Sequence, residues 1–135
     1  MLNIRAIYIY LLFSCCMAIC AQDKFKGNFI NNELKVKLAL NLYECNIPVP
    51  GFELDSCYGY LQGNLNGCWI ILQVKSIDAN KAEVRAVSER GSDAQDLLLT
   101  YNENGKVVVC QQKDANIKRI KGRKYVKLPR DLIFE

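Results

Sequence analysis

The sequence predicts an all-β fold, a small antiparallel β-barrel of about eight strands, with a two-sheet sandwich as the alternative. Apolar residues recur at every second position, which is the period of a half-buried strand rather than of a helix. Turn-forming residues interrupt these runs at spacings of roughly 8–12 residues. We favour the barrel because closure gives each inner strand two partners and removes the exposed edges that promote aggregation.

The first strands are expected in residues 25–42. Residues 25–30 form the opening strand, and Asn31 with Asn32 marks a turn. In residues 33–42 every even-numbered position is apolar, which predicts a strand with one buried face. The inward side chains are then Leu34, Val36, Leu38, Leu40 and Leu42. The Pro-Val-Pro-Gly run at residues 48–51 predicts a loop, because proline cannot donate to a central ladder.

The remaining sequence predicts further short strands joined by tight turns. These strands are residues 69–77, 82–87, 96–101, 106–111, 117–120, 124–128 and, as a last edge strand, 131–134. The dipeptide Asn104-Gly105 is a strong hairpin signal, and Gly122 lies at the turn of a second hairpin. A short helical turn is expected at residues 92–95.

Residues 1–21 have the layout of a secretory signal peptide. A single charge, Arg5, precedes an apolar run at residues 6–13, and small residues lead to Ala21. Cleavage there leaves residues 22–135 as one all-β domain, exported to the periplasm or secreted. The alternative is lipid attachment at Cys15, which follows a lipobox-like tripeptide. We favour ordinary cleavage because Phe13 fits a lipobox poorly.

The cysteines follow from the export signal. The chain has seven, and three of them lie in the signal. The four that remain are Cys45, Cys57, Cys68 and Cys110. An even set in a small exported domain predicts two disulfides, and we expect the pairs Cys45–Cys57 and Cys68–Cys110. Structural zinc is disfavoured because the sequence has no Cys-x-x-Cys and no histidine.

Residues 58–69 are rich in glycine and aromatic residues, with glycine at every fourth position. One interpretation is a ligand-facing surface in which Tyr58 and Tyr60 anchor a partner. The other is structural: the glycines supply positive φ for turns and bulges, and the aromatic rings pack in the interior. No Gly-Lys-Ser/Thr follows, so the stretch is not a phosphate-binding loop.

Residues 117–130 contain seven positive charges and no acidic residue. The preceding residues, 22–116, have ten basic and twelve acidic residues, so charge is segregated along the chain. Such a patch steers association with an anionic partner, which outside the cytoplasm is an acidic protein surface, an anionic lipid or a polysaccharide. The residues expected to do so are Lys118, Arg119, Lys121, Arg123 and Lys124. The alternative is a solvated hairpin whose lysines protect a strand edge.

The chain contains no histidine, which excludes Ser-His-Asp and Cys-His catalysis and histidine-based metal hydrolysis. Paired carboxylates such as Glu53 and Asp55 remain, but a glycosidase also needs a cleft that a domain of this size hardly provides. We therefore expect no enzymatic activity, no cofactor and no metal. Nucleic acid is also disfavoured as a partner, since Tyr125 is the one aromatic residue among the basic residues.

Two stretches carry a family resemblance: Lys-Gly-Asn-Phe at residues 26–29 and Tyr-Gly-Tyr-Leu-x-Gly-x-Leu-x-Gly-x-Trp at residues 58–69. With the export signal, they resemble small, mostly uncharacterised exported proteins of Bacteroidetes-type bacteria. That resemblance implies a lipocalin-like or related small barrel and transfers no catalytic residue. Periplasmic lysozyme-inhibitor barrels are similar in size and class, but their inhibitory loop motif is not found in this sequence.

These observations predict a non-enzymatic binding protein outside the cytoplasm, an inhibitor or immunity protein that neutralises a toxic or lytic protein by direct binding. Two alternatives remain open. In the first, the inward leucines of residues 34–42 line a cavity and the barrel carries an apolar ligand. In the second, the protein is a structural accessory of an envelope complex, to which it associates peripherally.

Overall fold

The computed structural model describes residues 23–91 and 93–135; the predicted signal peptide and Cys15 lie outside the described residues. The described residues form twelve β-strands and no helix, which confirms the all-β prediction. The strands are β1 (Lys26–Asn31), β2 (Val36–Asn41), β3 (Ile47–Val49), β4 (Phe52–Cys57), β5 (Gly59–Gly63), β6 (Trp69–Ile77), β7 (Lys81–Ser88), β8 (Ala94–Tyr101), β9 (Val107–Gln111), β10 (Lys118–Lys121), β11 (Lys124–Lys127) and β12 (Asp131–Phe134). Within the described ranges, no helix is therefore long and apolar enough to cross a bilayer.

Eight strands form one antiparallel sheet in the order β1-β2-β5-β6-β7-β8-β9-β12. This sheet is nearly closed into a barrel, as predicted. The first and last strands meet where Ile30 and Glu135 exchange two backbone hydrogen bonds of 3.0 Å each. The last strand, β12, lies at the end of this sheet as predicted, where it pairs with β9 and borders β1. It therefore completes the barrel wall.

The interior is packed with apolar side chains from every strand of the main sheet. Trp69, Phe25 and Phe134 are its largest fully buried members. The alternating residues of β2 face inward as predicted, with Leu38 and Leu40 almost fully buried. Burying a side chain of this size stabilises the fold by about 1.5–3 kcal/mol, so the alternation alone sets which face of β2 is inside.

Two hairpins lie outside the eight-stranded sheet, β3–β4 and β10–β11. For the first, the loop predicted at residues 48–51 is wrong for Pro48 and Val49, which lie in β3, and right for Pro50 and Gly51. Pro48 lies in a three-residue strand, and Pro50 with Gly51 makes the turn, where Gly51 has φ 82°. This is the pattern of a type II turn, with proline first and a left-handed glycine second. The second hairpin, β10–β11, is confirmed.

The glycine-rich stretch at residues 58–69 contains strand β5, which the sequence did not predict. Gly63 has φ 129°, and a Cβ there would collide with the carbonyl oxygen of Lys35 on the neighbouring chain segment. The glycine therefore allows a close approach of two backbones, as the structural interpretation expects. The helical turn predicted at residues 92–95 is wrong for its second half, because Ala94 and Gln95 begin β8.

The structure contains no disulfide among the described residues, and all four cysteines are free thiols. The predicted pair Cys68–Cys110 is wrong because Cys68 packs with Cys57 and Ile70 in a small cluster on the outside of the sheet, whereas Cys110 lines a groove beside β9. In the other predicted pair, Cys45 is exposed and the buried Cys57 thiol donates to the Gly59 carbonyl at 3.3 Å.

Burial governs the chemistry of the two inner thiols. It raises the pKa of Cys57, and it raises the pKa of Cys68 to about 11, with a smaller contribution from the nearby Glu89 carboxylate. A thiol with a raised pKa is a poor nucleophile at neutral pH. These two side chains therefore act as small apolar residues of the fold.

Candidate functional site

The candidate site is the β10–β11 hairpin with its flanking residues, 117–130, called here the basic hairpin. The opposed pairs in its ladder are Lys118 with Lys127, Arg119 with Val126, Ile120 with Tyr125, and Lys121 with Lys124. Two of the four pairs therefore set one lysine directly against another. Like charges in directly opposed positions destabilise a sheet.

Alternation along the two strands gives the basic hairpin two different faces. One face carries Ile120 and Tyr125 beside the Lys118–Lys127 pair, and both of these large side chains are exposed, Tyr125 by 58%. The other face carries Arg119 and Val126 beside Lys121 and Lys124. An exposed tyrosine framed by cations is an arrangement typical of binding anchors, since the ring gives contact area at low entropic cost.

The positive charge of the basic hairpin is not neutralised within the described part of the chain. The ion pairs found there join Lys75 and Arg85 to Asp96, and Lys106 to Glu135. None of them involves residues 117–130, which contain no acidic residue. The hairpin therefore offers its charge to an outside group, and at low ionic strength its attraction extends over about 10 Å or more.

The basic hairpin is fixed to the barrel at its first strand by the loop between β5 and β6. Asn66 is the centre of this attachment: its Oδ1 accepts from Trp69 Nε1 at 3.0 Å and from the Lys118 amide at 3.2 Å. The backbone N–H of Asn66 also donates to the Lys118 carbonyl, and the side-chain Nδ2 of Asn64 donates to the Ile120 carbonyl. The distinctive glycine-rich stretch thus supplies the seat of the hairpin.

Both ends of the basic hairpin are anchored in the core. Ile117 and Leu128 are buried among the interior side chains. The Gln111 amide group accepts from the Ile117 N–H at 3.0 Å and donates to its carbonyl at 3.3 Å, as a neighbouring strand would. A surface held in this way loses little conformational entropy on binding, which favours affinity.

The structure brings together most of the residues predicted to bind a partner. Lys118, Lys121, Arg123 and Lys124 are exposed on the basic hairpin. The fifth predicted residue, Arg119, is half-buried, and its Nε is shielded from solvent without a hydrogen-bond partner in the described ranges. Arg119 therefore fits an anchoring role better than a steering role.

The two tyrosines predicted as anchors lie elsewhere. Tyr58 packs against the main core, and Tyr60 is half-buried on the outer face of β5, where it lines a groove with Ile30 and Lys37. Tyr125, which the sequence showed only as an isolated aromatic residue among lysines, is the exposed tyrosine of the basic hairpin. Its position opposite Ile120 depends on the hairpin register, which an aromatic residue in a charged run does not reveal.

The sequence analysis also missed a second surface, on the β3–β4 hairpin. Phe52 and Leu54 on the hairpin and Leu72 on β6 are exposed, and Leu54 is fully so. A groove of about 420 Å³ runs between this hairpin and β6, lined in part by Val49, Phe52 and Leu72. Exposed apolar groups that cluster in this way mark interaction surfaces.

No arrangement of three His, Cys, Asp or Glu side chains suited to a metal ion occurs in residues 23–91 and 93–135. No protein-family model matches the chain, and no curated protein or solved structure shows significant similarity to it.

Proposed function

We propose that this protein is a non-enzymatic, extracytoplasmic binding protein that docks the acidic surface of a protein partner through its basic hairpin. The observation that carries this proposal is the ladder of the hairpin, in which Lys118 opposes Lys127 and Lys121 opposes Lys124 with no acidic residue in residues 117–130. Such a ladder is costly in the free protein. An anionic partner removes that cost on binding.

The alternative, that the lysines protect a strand edge, accounts for fewer of the observations. One or two charged residues suffice to block edge pairing. The basic hairpin instead carries opposed lysines on both faces, an exposed Tyr125 and a rigid attachment through Asn66. These features together favour recognition, with charge speeding the encounter and Tyr125 supplying contact area.

Inhibition of a toxic or lytic protein is the mode of action we propose. A small rigid domain that presents one charged projection is suited to blocking another protein's surface. The carrier alternative is less favoured, because the interior is occupied by large side chains such as Trp69 and Phe134. The location outside the cytoplasm rests on the predicted signal peptide at residues 1–21.

Affinity capture tests the proposal. The chain is expressed from its full sequence, tagged at the C-terminus and used to capture proteins from the envelope and culture fluid of its source at about 0.05 M and about 0.5 M salt. We expect one stoichiometric protein whose capture falls at least about tenfold at the higher salt. The combined substitution K118E/K121E/K124E is expected to abolish capture.

The matched control is K26E/K37E/K81E, which changes the net charge equally at exposed lysines on β1, β2 and β7. We expect it to keep most of the capture. Equal loss in both variants would show a general charge effect, and undiminished capture by K118E/K121E/K124E would show that the basic hairpin is not the site. Capture of a lipid, polysaccharide or nucleic acid in place of a protein would also refute the proposal.

A further inference from the structure

The β3–β4 hairpin lies in a part of the chain that has no positive charge. Residues 38–74 contain three acidic residues and neither lysine nor arginine. The three are Glu44, Glu53 and Asp55. All are exposed, and two of them lie on β4. We call β3–β4 with Glu44 the acidic hairpin, because its charge is opposite to that of the basic hairpin.

The surface at the acidic hairpin also exposes large apolar side chains. Phe52 on the hairpin is exposed by 60%, and Leu72 beside it on β6 by 53%. The residues that line the groove between them include Asp55 and Ser56. A groove with apolar walls and a carboxylate suits a side chain that has an apolar body and a polar, hydrogen-donating tip.

From this complementarity we propose that the acidic hairpin of one molecule docks the basic hairpin of a second copy of this chain, joining molecules head to tail. The basic hairpin provides what the acidic hairpin lacks: exposed lysines, and the exposed apolar pair Ile120 and Tyr125. Tyr125 has the ring and hydroxyl that the groove beside Asp55 suits. This inference rests on the proposed role of the basic hairpin as a docking element and names one partner for it.

The two hairpins are attached at different ends of β5. The acidic hairpin leads directly into the Gly59 end of β5, whereas the basic hairpin is seated on the residues that follow the Gly63 end. The two attachment points are thus about 13 Å apart along a single strand. A contact between different surfaces of two copies is heterologous, and it extends into a chain of molecules unless the rotation closes a ring.

A two-fold contact between two acidic hairpins is disfavoured by the same charges. Pairing β4 with its own copy would bring Glu53 and Asp55 of the two molecules together without any cation in the acidic hairpin. Like charges brought together across an interface cost free energy and select against that pairing. The charge pattern therefore selects the head-to-tail arrangement.

Sedimentation of the protein expressed from its full sequence tests the inference, with its N-terminus read by mass spectrometry. At about 0.05 M salt we expect the weight-average mass to rise with concentration past that of a dimer, and at about 0.5 M salt we expect at least about a tenfold weaker association. F52S/L54S alters only exposed side chains of the acidic hairpin, and K118E/K127E reverses the charge of the two lysines beside Tyr125 on the basic hairpin. Each variant alone is expected to remain a monomer.

Mixing the two variants is the decisive step. F52S/L54S retains an intact basic hairpin and K118E/K127E an intact acidic hairpin, so the equimolar mixture is expected to form a 1:1 pair and nothing larger. The control I77S/I133S removes two exposed apolar residues elsewhere and is expected to assemble like the unsubstituted chain. Monomers at about 1 mM in low salt, or variants that still assemble alone, would overturn the inference.

The two proposals fail in distinguishable ways. If the unsubstituted chain stays monomeric but captures an outside protein through residues 117–130, the self-docking inference is refuted and the proposed function stands. If the chain assembles but captures no other protein, the inference stands and the proposed outside partner is refuted.

Discussion

Gly63 shows how a single residue sets the spacing of two chain segments. Its φ of 129° and the Lys35 carbonyl against it leave no room for a Cβ. We expect Gly63→Ala to lower the free energy of unfolding by roughly 2–4 kcal/mol, since it adds backbone strain and a steric clash. Gly91→Ala, at a glycine of φ 73° with open space around it, should cost about 1 kcal/mol. Urea denaturation compares the two, and equal losses would contradict this account of Gly63.

Cys68 illustrates the correction of the predicted disulfides at the residue scale. Because burial raises its pKa to about 11, only about a thousandth of this thiol is ionised at pH 8. We expect iodoacetamide to label the exposed Cys45 first and Cys68 only on unfolding, with peptide mass spectrometry as the measurement. In denaturant without reductant, all four cysteines of residues 23–135 should react. Fewer than four labelled thiols would contradict the free-thiol structure.

Asp96 links three strands, because its Oδ1 lies 2.9 Å from Lys75 Nζ on β6 and 3.3 Å from Arg85 Nε on β7. The hydrogen bond from Lys75 lowers the pKa of Asp96 below its ordinary 3.8. A carboxyl group whose pKa is lower in the folded than in the unfolded chain stabilises the fold, fully so at pH values above the unfolded pKa. This contribution is lost as the pH falls through the lowered pKa.

Asp96→Asn should therefore lower the urea midpoint at pH 7, and the difference from the unsubstituted chain should shrink as the pH falls below about 3.8. Asp131→Asn, at an exposed residue of β12, is the control and should change the midpoint little at either pH. A difference between D96N and the unsubstituted chain that persists undiminished into strong acid would show that the carboxylate charge does not act in this way.

At the scale of elements, regular alternation could be read from the sequence and irregular strands could not. β2 was predicted because Val36, Leu38 and Leu40 mark one face without interruption. β3 and β4 were missed because Pro48 in β3 and Pro50 in the turn signal a loop. Both strands pack on the outer wall of the barrel, so they have no inward face to produce alternation. β5 was missed because its glycines, which serve close backbone approach, are also the residues of turns.

Of the two surfaces, one could be predicted from the sequence and the other could not. The basic hairpin was predictable because its seven charges all lie in residues 117–130 and Gly122 marks its turn. The acidic hairpin was not, because Phe52 and Leu54 read as ordinary core residues until the fold shows them exposed. Composition reveals a charged surface directly, whereas an exposed apolar surface is a property of tertiary structure.

At the scale of the whole molecule, β12 completes the barrel, and two neighbouring residues on it test this. Phe134 is fully buried in the core, whereas Ile133 is 51% exposed on the outside. Phe134→Ala should cost about 3–5 kcal/mol of unfolding free energy, and Ile133→Ala less than about 1 kcal/mol. Urea midpoints measure both. Similar costs would mean that β12 does not close the barrel as an inward-facing wall strand.

The whole molecule also has opposite charges on its two projecting hairpins, and the central claim is that the basic hairpin contacts the partner. Lysine footprinting tests this most directly: the free protein and its captured complex are acetylated with light and heavy reagent, and each lysine is quantified by mass spectrometry. We predict several-fold protection of Lys118, Lys121 and Lys124, with Lys26 and Lys81 unchanged. Unprotected hairpin lysines, or protection confined to Lys26 and Lys81, would contradict the account.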